Sequence, residues 1–459
     1  MTRRGRWRWW LVLLVLCAVS GLTALLRMGA KEGVPRKLLV PVAATTLGTA
    51  RTDAKPAASI ASASAAASAS ASSAPTPLPA VGAPVPTSAS VVDAKSDTID
   101  ICGLGQVTLA MLEKLAPAWA VPGSEREGRK RLVAALLAGS EREQVVGGLL
   151  AGMSAVRAAQ ATEGTPCPDS NALCEADRVA RHRGAAQPMR DRSVKLALNS
   201  RDPWVFAVTA SDMCGGLLTP ATPAASSCAL LTPDLWRARA GDDAAPSLWQ
   251  AELASSRQDA AAVAAELQQA AHATRLSHTF ASSLGPLLPH QAFKAMNPIH
   301  QQEIAVELLG LSASGAISGM FAVTQHCPAH LAPGSAQREI CNALVRLLLQ
   351  PGGTLMGQAM GTSMAKRLGW PPHQVDALEE RKLALQEQAL RAVLPQDLLS
   401  CAGIATAQKH FADVAALGEV GALELRIKEG GRSIAELAAQ ARASRAAAAS
   451  AAQAASEPR

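Results

Sequence analysis

The chain has 459 residues, 49% of them apolar, with eight tryptophans, five phenylalanines and no tyrosine. That is length enough for two or three domains, and alanine supplies much of the apolar count, so the core is expected to be built from small side chains with leucine and valine. The net charge of +7 does not describe that core: residues 1–37 hold eight of the 44 basic residues and one of the 37 acidic ones, leaving 36 of each sign from residue 38 onward. A neutral body offers no basic field to neutralise phosphates, which excludes nucleic acid as a partner.

The first element is Trp9–Leu26, eighteen residues without a charge. At about 1.5 Å per helical residue it spans ~27 Å, close to the ~30 Å of a bilayer's hydrocarbon core. Arg3, Arg4, Arg6 and Arg8 precede it, and Trp7, Trp9 and Trp10 stand at its entry. Arginine stays on the cytoplasmic side and tryptophan favours the headgroup layer. Arg27, Lys31, Arg36 and Lys37 follow it, so the charge bias toward a cytoplasmic N-terminus is modest. An uncleaved signal anchor is preferred to a cleaved signal peptide, because the nearest small-x-small sequence, Ala18-Val19-Ser20, sits inside the apolar run. A lipoprotein is disfavoured, since Cys17 follows Leu16 rather than a small residue. Residues 1–37 therefore read as a cytoplasmic tail and a single-pass anchor in a bacterial inner membrane, with the main domain in the periplasm.

Residues 38–96 read as a linker. From residue 51 an Ala/Ser tract runs into prolines at 75, 77, 79, 84 and 86, a composition with too little large apolar surface to offset its ordering entropy. Eight cysteines lie beyond the anchor: Cys102, Cys167, Cys174, Cys214, Cys228, Cys327, Cys341 and Cys401. An even number past an export segment reads as disulfides formed in an oxidising compartment. Proximity pairs Cys167 with Cys174, Cys214 with Cys228 and Cys327 with Cys341, leaving Cys102 for Cys401. Eight cysteines allow 105 pairings in principle, and no Cys-x-x-Cys is present to supply an exchange pair.

Residues 97–442 are expected to form an all-α, disulfide-stapled domain with a possible sub-boundary near 283–299. Ser124…Glu127, Ser140…Glu143 and Ser433…Glu436 have capping-box spacing. Ser200-Arg201-Asp202-Pro203 offers caps with proline in the first turn, and Gly215-Gly216 closes the helix that follows. After Pro371-Pro372, residues Val375, Leu378, Leu385, Ala389 and Val393 recur at helical spacing up to Pro395, with Glu387 and Arg391 as an i,i+4 pair on the solvent side. Ile304–Thr324 carries one charge, Glu307, in 21 residues. A buried core helix is preferred there to a second membrane span, which would strand Cys327, Cys341 and Cys401 in a reducing cytoplasm. Gly353, Gly357 and Gly361 recur every four residues, as a close helix–helix approach or a flexible loop would. The Ala-rich tail 443–459 is left open between helix and coil.

Within Leu231–Ala273, Trp236 is expected on a short helix broken at Gly241-Asp242-Asp243. Ala245–Ser256 and Asp259–Ala273 then make two helices joined by a tight turn. With Trp249 on the first helix and alanines lining the second, residues 245–273 resemble one tetratricopeptide-like helical hairpin. The family's glycine and tyrosine positions on the first helix are not filled, and no 34-residue period recurs elsewhere. The resemblance implies a protein-binding helical array; generic antiparallel packing accounts for the same residues.

His326-Cys327-Pro328-Ala329-His330 is the densest cluster of ligand-type side chains. His326 and His330 could hold zinc with Cys327 or Cys341, but Pro328 disfavours the shared helix face this needs, and no cofactor is expected. His272, His278, His290, His300, His373 and His410 are scattered, and the neighbours Glu379-Glu380 point about 100° apart on a helix. No HExxH, G-x-S-x-G or Walker loop occurs. The expected function is a non-enzymatic, inner-membrane-anchored periplasmic module that binds or scaffolds another envelope protein. The alternative is an envelope hydrolase whose site is assembled from distant residues, with His326 and His330 the first to test.

Overall fold

A computed structural model describes residues 98–108, 124–162, 167, 172–215, 226–315, 319–393 and 399–456. The expected anchor Trp9–Leu26, its flanks and the linker lie outside the described residues. Among the described residues no helix is long and apolar enough to cross a membrane. These residues belong to one compact unit, Ala89–Arg459, which is mostly helical, with 17 α-helices.

One departure from an all-helical domain is a hairpin. Thr98–Ile101 pairs antiparallel with Gly105–Thr108, Ile99 opposite Val107. Its strands are four residues long, too short for a two-residue alternation to mark them in the sequence. Gly103 (φ 86°) and Gly105 (φ 72°) supply the left-handed backbone of the turn.

Helix starts follow local chemistry. Ser140 donates its N–H to Glu143 Oε2 at 2.7 Å while Glu143 donates its own to Ser140 Oγ at 3.4 Å, opening Glu141–Thr162. Ser433 and Glu436 exchange the same bonds at 2.8 and 3.2 Å before Ile434–Ser456. That last helix carries the Ala-rich tail as far as Ser456. Asp202 caps Pro203–Val208 by accepting from Trp204 N–H at 2.9 Å. Here the chain departs from expectation: the helix does not run on to the glycines as an α-helix but widens into a π-turn, Thr209–Met213.

Ile304–Thr324 also differs from a single core helix. Pro298–Gly315 ends before Gly319, which takes φ 84°, and Met320–His326 begins a new direction. A side chain at Gly319 would come within 2.6 Å of the Leu248 carbonyl oxygen, so the second piece can turn only because the backbone there is bare. Ile304, Ala305, Leu308 and Leu311 are buried. Glu307, its side chain 5% exposed, is neutralised by Arg129 and Arg157 from two preceding helices.

Gly357 and Gly361 lie within Leu355–Arg367 and face the helix Ala336–Leu348 and its end. A Cβ at Gly361 would meet Leu349 Cδ2 at 2.9 Å and one at Gly357 the Leu348 carbonyl at 3.1 Å. The glycine repeat is thus close helix packing, except that Gly353 belongs to the preceding turn. In Pro372–Val393, Val375 and Leu385 point inward as expected. Glu387 pairs with Arg391 at 3.1 Å, but with its side chain only 12% exposed, so this face is not the wet one.

The core has two parts. The larger runs from Leu132 through Phe206, Trp236, Leu267 and Leu344 to Phe411 and Val414. Two short helices in the stretch 283–299, Leu284–Leu287 and Gln291–Lys294, bury Leu284, Leu287 and Phe293 in it. The smaller part gathers Leu383, Leu385, Val420, Leu423, Ile427 and Leu437. One helix, Cys401–Glu429, serves both, and it breaks between them at Gly418 (φ 75°, ψ 170°).

Candidate functional site: a histidine between two small cavities

The break at Gly418 sets the site. A side chain there would overlap the Gly352 carbonyl oxygen, and Val420 N–H donates to the Gly353 carbonyl at 3.2 Å. The Gly352-Gly353 turn is thus docked into the interrupted helix. Three bare backbone positions leave a cavity of about 140 Å³, lined also by His278, Phe280, Ser282, Thr354, Val414 and Glu419.

Glu419 reaches the start of Leu355–Arg367, where its Oε2 accepts from Leu355 N–H at 2.8 Å beside the Thr354 cap. Burial pushes its carboxyl up to about 7, against the pull of that N–H. Across the cavity, His278 Nε2 is buried without a hydrogen-bond partner and stands 3.7 Å from where a Gly353 Cβ would lie. Burial holds this imidazole below its usual range, with Asp243 opposing, so it is neutral at pH 7.

His278 also lines a second cavity, of about 70 Å³, with Ser211, Thr279, Trp236, Trp249 and Met320. Behind it lies Asp212 in the π-turn, 1% exposed, accepting from Ser211 Oγ at 2.6 Å and Ser312 Oγ at 3.1 Å. Burial raises its carboxyl to about 6, against bonds from Ser211, Ser312 and Thr279. Serine and histidine therefore share one cavity with an aspartate behind it, but not as a nucleophile relay. Ser211 bonds to Asp212 rather than to His278, and a relay needs the base on the nucleophile's hydroxyl. Burial favours the neutral forms of His278 and Glu419, in which each can donate or accept, and a water's share of liquid volume is about 30 Å³. The larger cavity suits a few water molecules rather than a substrate, for which about 300 Å³ or more is usual.

The eight cysteines stand in four pairs at disulfide distance. Cα separations are 5.8 Å for Cys167–Cys174, 5.7 Å for Cys214–Cys228, 5.8 Å for Cys327–Cys341 and 4.4 Å for Cys102–Cys401. Cys327 and Cys341 are thereby spent and cannot serve as thiolates for zinc. The helix ends at His326, Cys327 leaves helical geometry, and His330 follows at φ 71°, so His326 and His330 share no helix face. Among the described residues no group of three or more His, Cys, Asp or Glu stands together to hold a metal.

The other histidines are dispersed. His290 caps a turn by accepting from Ala292 N–H at 3.2 Å, and His300 lies 3.4 Å from Glu303. His410 is buried beside Phe411; burial pushes it down to about 4, Arg426 adding and Asp413 opposing. Asp212 and Glu419, the most perturbed carboxyls, carry no sequence signal beyond a nearby glycine.

The predicted hairpin is present as Ala245–Ser256 and Ala260–Ala271, with Asp259 as cap and Trp249 edge-on to Trp236 at 5.9 Å. It packs against Met320–His326 and Ala336–Leu348. No family model, curated protein or solved structure matches the chain.

Proposed function

We propose that this chain is a bacterial inner-membrane protein with a cytoplasmic N-terminus, a low-complexity linker and a periplasmic helical domain that works by binding another envelope protein. The supporting observation is the small size of the two cavities beside His278. A carboxyl, an imidazole and several hydroxyls converge at the junction of the two cores, yet the larger space is about 140 Å³. Chemistry on an envelope polymer needs an open cleft, whereas surface recognition needs only a rigid body. Four cysteine pairs at disulfide distance favour such a body in an oxidising compartment.

Intact mass with and without reductant tests the compartment: four bridges predict a gain of about eight daltons, two hydrogens for each bridge, and no gain removes the argument for export. Periplasmic crosslinking of the full chain through sites in residues 97–459, repeated from the partner's side, tests the binding role. Reciprocal capture of one envelope protein is expected. Turnover of an envelope substrate without such a partner overturns the reading in favour of a hydrolase.

A further inference from the structure

The four bridges are not equivalent. Cys327 and Cys341 are 1% and 0% exposed, out of reach of any thiol. Cys167, Cys174, Cys214 and Cys228 are half-buried. Of the eight, only Cys401 is exposed. It is the first residue of the helix Cys401–Glu429, directly after the Ser400 cap, where backbone N–H groups and the helix dipole stabilise a thiolate. Its partner Cys102 lies in the hairpin turn, with Cys102 N–H donating to the Leu399 carbonyl at 2.8 Å. Two residues on, Leu104 is 48% exposed, an apolar side chain presented at the tip of the turn.

We propose that Cys102–Cys401 is the exchangeable bridge of this domain, a modification site for a protein reductant carrying a pair of neighbouring thiols, with Leu104 as the apolar contact for that partner. A reductant thiolate attacks Cys401 Sγ. The bond to Cys102 breaks, and its electron pair leaves on the Cys102 sulfur, which takes a proton from water. The reductant's second thiolate then attacks its own partner sulfur in the mixed disulfide and expels Cys401. Cys401 departs as a thiolate held by the helix terminus, the kind of leaving group that departs fastest. Two electrons pass to the domain, the dithiol becomes a disulfide, and two thiols remain, at Cys102 and Cys401. The hairpin Thr98–Thr108 is then released from its covalent hold on the helix Cys401–Glu429.

The inference rests on the oxidised state assumed above, and one experiment separates the two. Full-length protein is treated with limiting dithiothreitol under native conditions, quenched with N-ethylmaleimide and mapped by peptide mass. Label on Cys102 and Cys401 is expected at least tenfold ahead of the other six bridged cysteines. Another bridge opening first, or all four together, overturns this inference alone; thiols already free among these eight before reductant is added, Cys17 of the anchor being unpaired throughout, overturn both readings. In a C102S variant, the iodoacetamide rate of Cys401 against pH should give a thiol pKa below the ordinary value of about 8.5. A value at or above it refutes the helix-terminus argument. A Leu104→Ser variant should slow reduction by a thioredoxin-type protein severalfold while leaving dithiothreitol's rate unchanged, and equal slowing of both refutes the apolar contact.

Discussion

Replacing Glu307 by glutamine should be among the costliest polar substitutions in the domain. Its carboxylate accepts from Arg129 Nη1 and Nη2 at 2.8 and 2.7 Å and from Arg157 Nη2 at 2.8 Å, while Arg129 Nε is held by Ser154 at 2.8 Å. Glutamine keeps the shape and one acceptor but removes the charge, stranding two cations. Breaking a fully buried pair costs about 3–5 kcal/mol. Here the Arg129 and Arg157 side chains keep 18% and 38% exposure, so water recovers part of that, and a loss of about 3 kcal/mol is expected. Urea unfolding followed by far-UV circular dichroism reads it as a lower midpoint at unchanged slope. A second variant separates charge from packing. Glu307→Leu combined with Arg129→Leu and Arg157→Leu removes every charge and should recover most of the loss, because apolar replacement of a whole buried ionic group is often neutral or better. A Glu307→Gln midpoint within about 0.5 kcal/mol of the parent would refute the claim that this triad neutralises the core helix.

Gly418→Ala should cost about 2–4 kcal/mol, since its φ of 75° and ψ of 170° are a glycine conformation and the new methyl meets the Gly352 carbonyl; thermal unfolding checks it, and an unchanged midpoint would mean the break is not needed. Glu419 ties stability to pH. Its carboxyl titrates at about 7 in the fold against an ordinary 4.5, so the folded state binds more protons across that window. Stability present below pH 4.5 is therefore lost as pH rises toward 7, by at most about 3 kcal/mol. His410, lowered from 6.5 to about 4, acts oppositely, its contribution being lost as pH falls from 6.5 to 4, so the measurable quantity is the difference curve between Glu419→Gln and the parent. A flat difference from pH 4.5 to 7 would sink the assignment. Ser140→Ala and Ser433→Ala should each cost about 1 kcal/mol by loss of a cap, read in the same urea assay.

What was legible in the sequence is what is local. Ser140 and Glu143, or Ser433 and Glu436, are three residues apart and carry their geometry in their spacing. Cysteines seven or fourteen residues apart need no fold to find each other. Glu307 was legible as an anomaly, a single charge in an apolar run, but its partner Arg129 is 178 residues away and nothing near either residue points to the other. The junction cavity was not legible at all. It exists because the Gly352-Gly353 turn docks at Gly418, and a glycine in an alanine-rich helix reads as a mild propensity cost rather than as the seat of another backbone. The glycine repeat at 353, 357 and 361 was half legible: its spacing announced a close face, but its first member was spent on the turn.

The alanine-rich composition explains why such close approaches recur. A buried alanine removes far less apolar area from water than a leucine, at about 25 cal/mol per Å², so a core of Ala197, Ala251, Ala270, Ala305 and Ala365 gains little from any one side chain. Helices built this way recover stabilisation by moving their backbones together. At Gly361 against Leu349 and at Gly319 against Leu248 they do so until only glycine fits. The remaining stabilisation must come from terms that do not depend on side-chain size. A buried ion cluster at Glu307 fixes three helices. A bridge of 14-residue separation restricts the unfolded chain by about 3 kcal/mol in the entropy model, and one across 299 residues by more than the ~4.7 kcal/mol of a 100-residue loop. In this domain the bridges therefore stand in for missing large side chains, and the Cys102–Cys401 bridge is the largest of those terms.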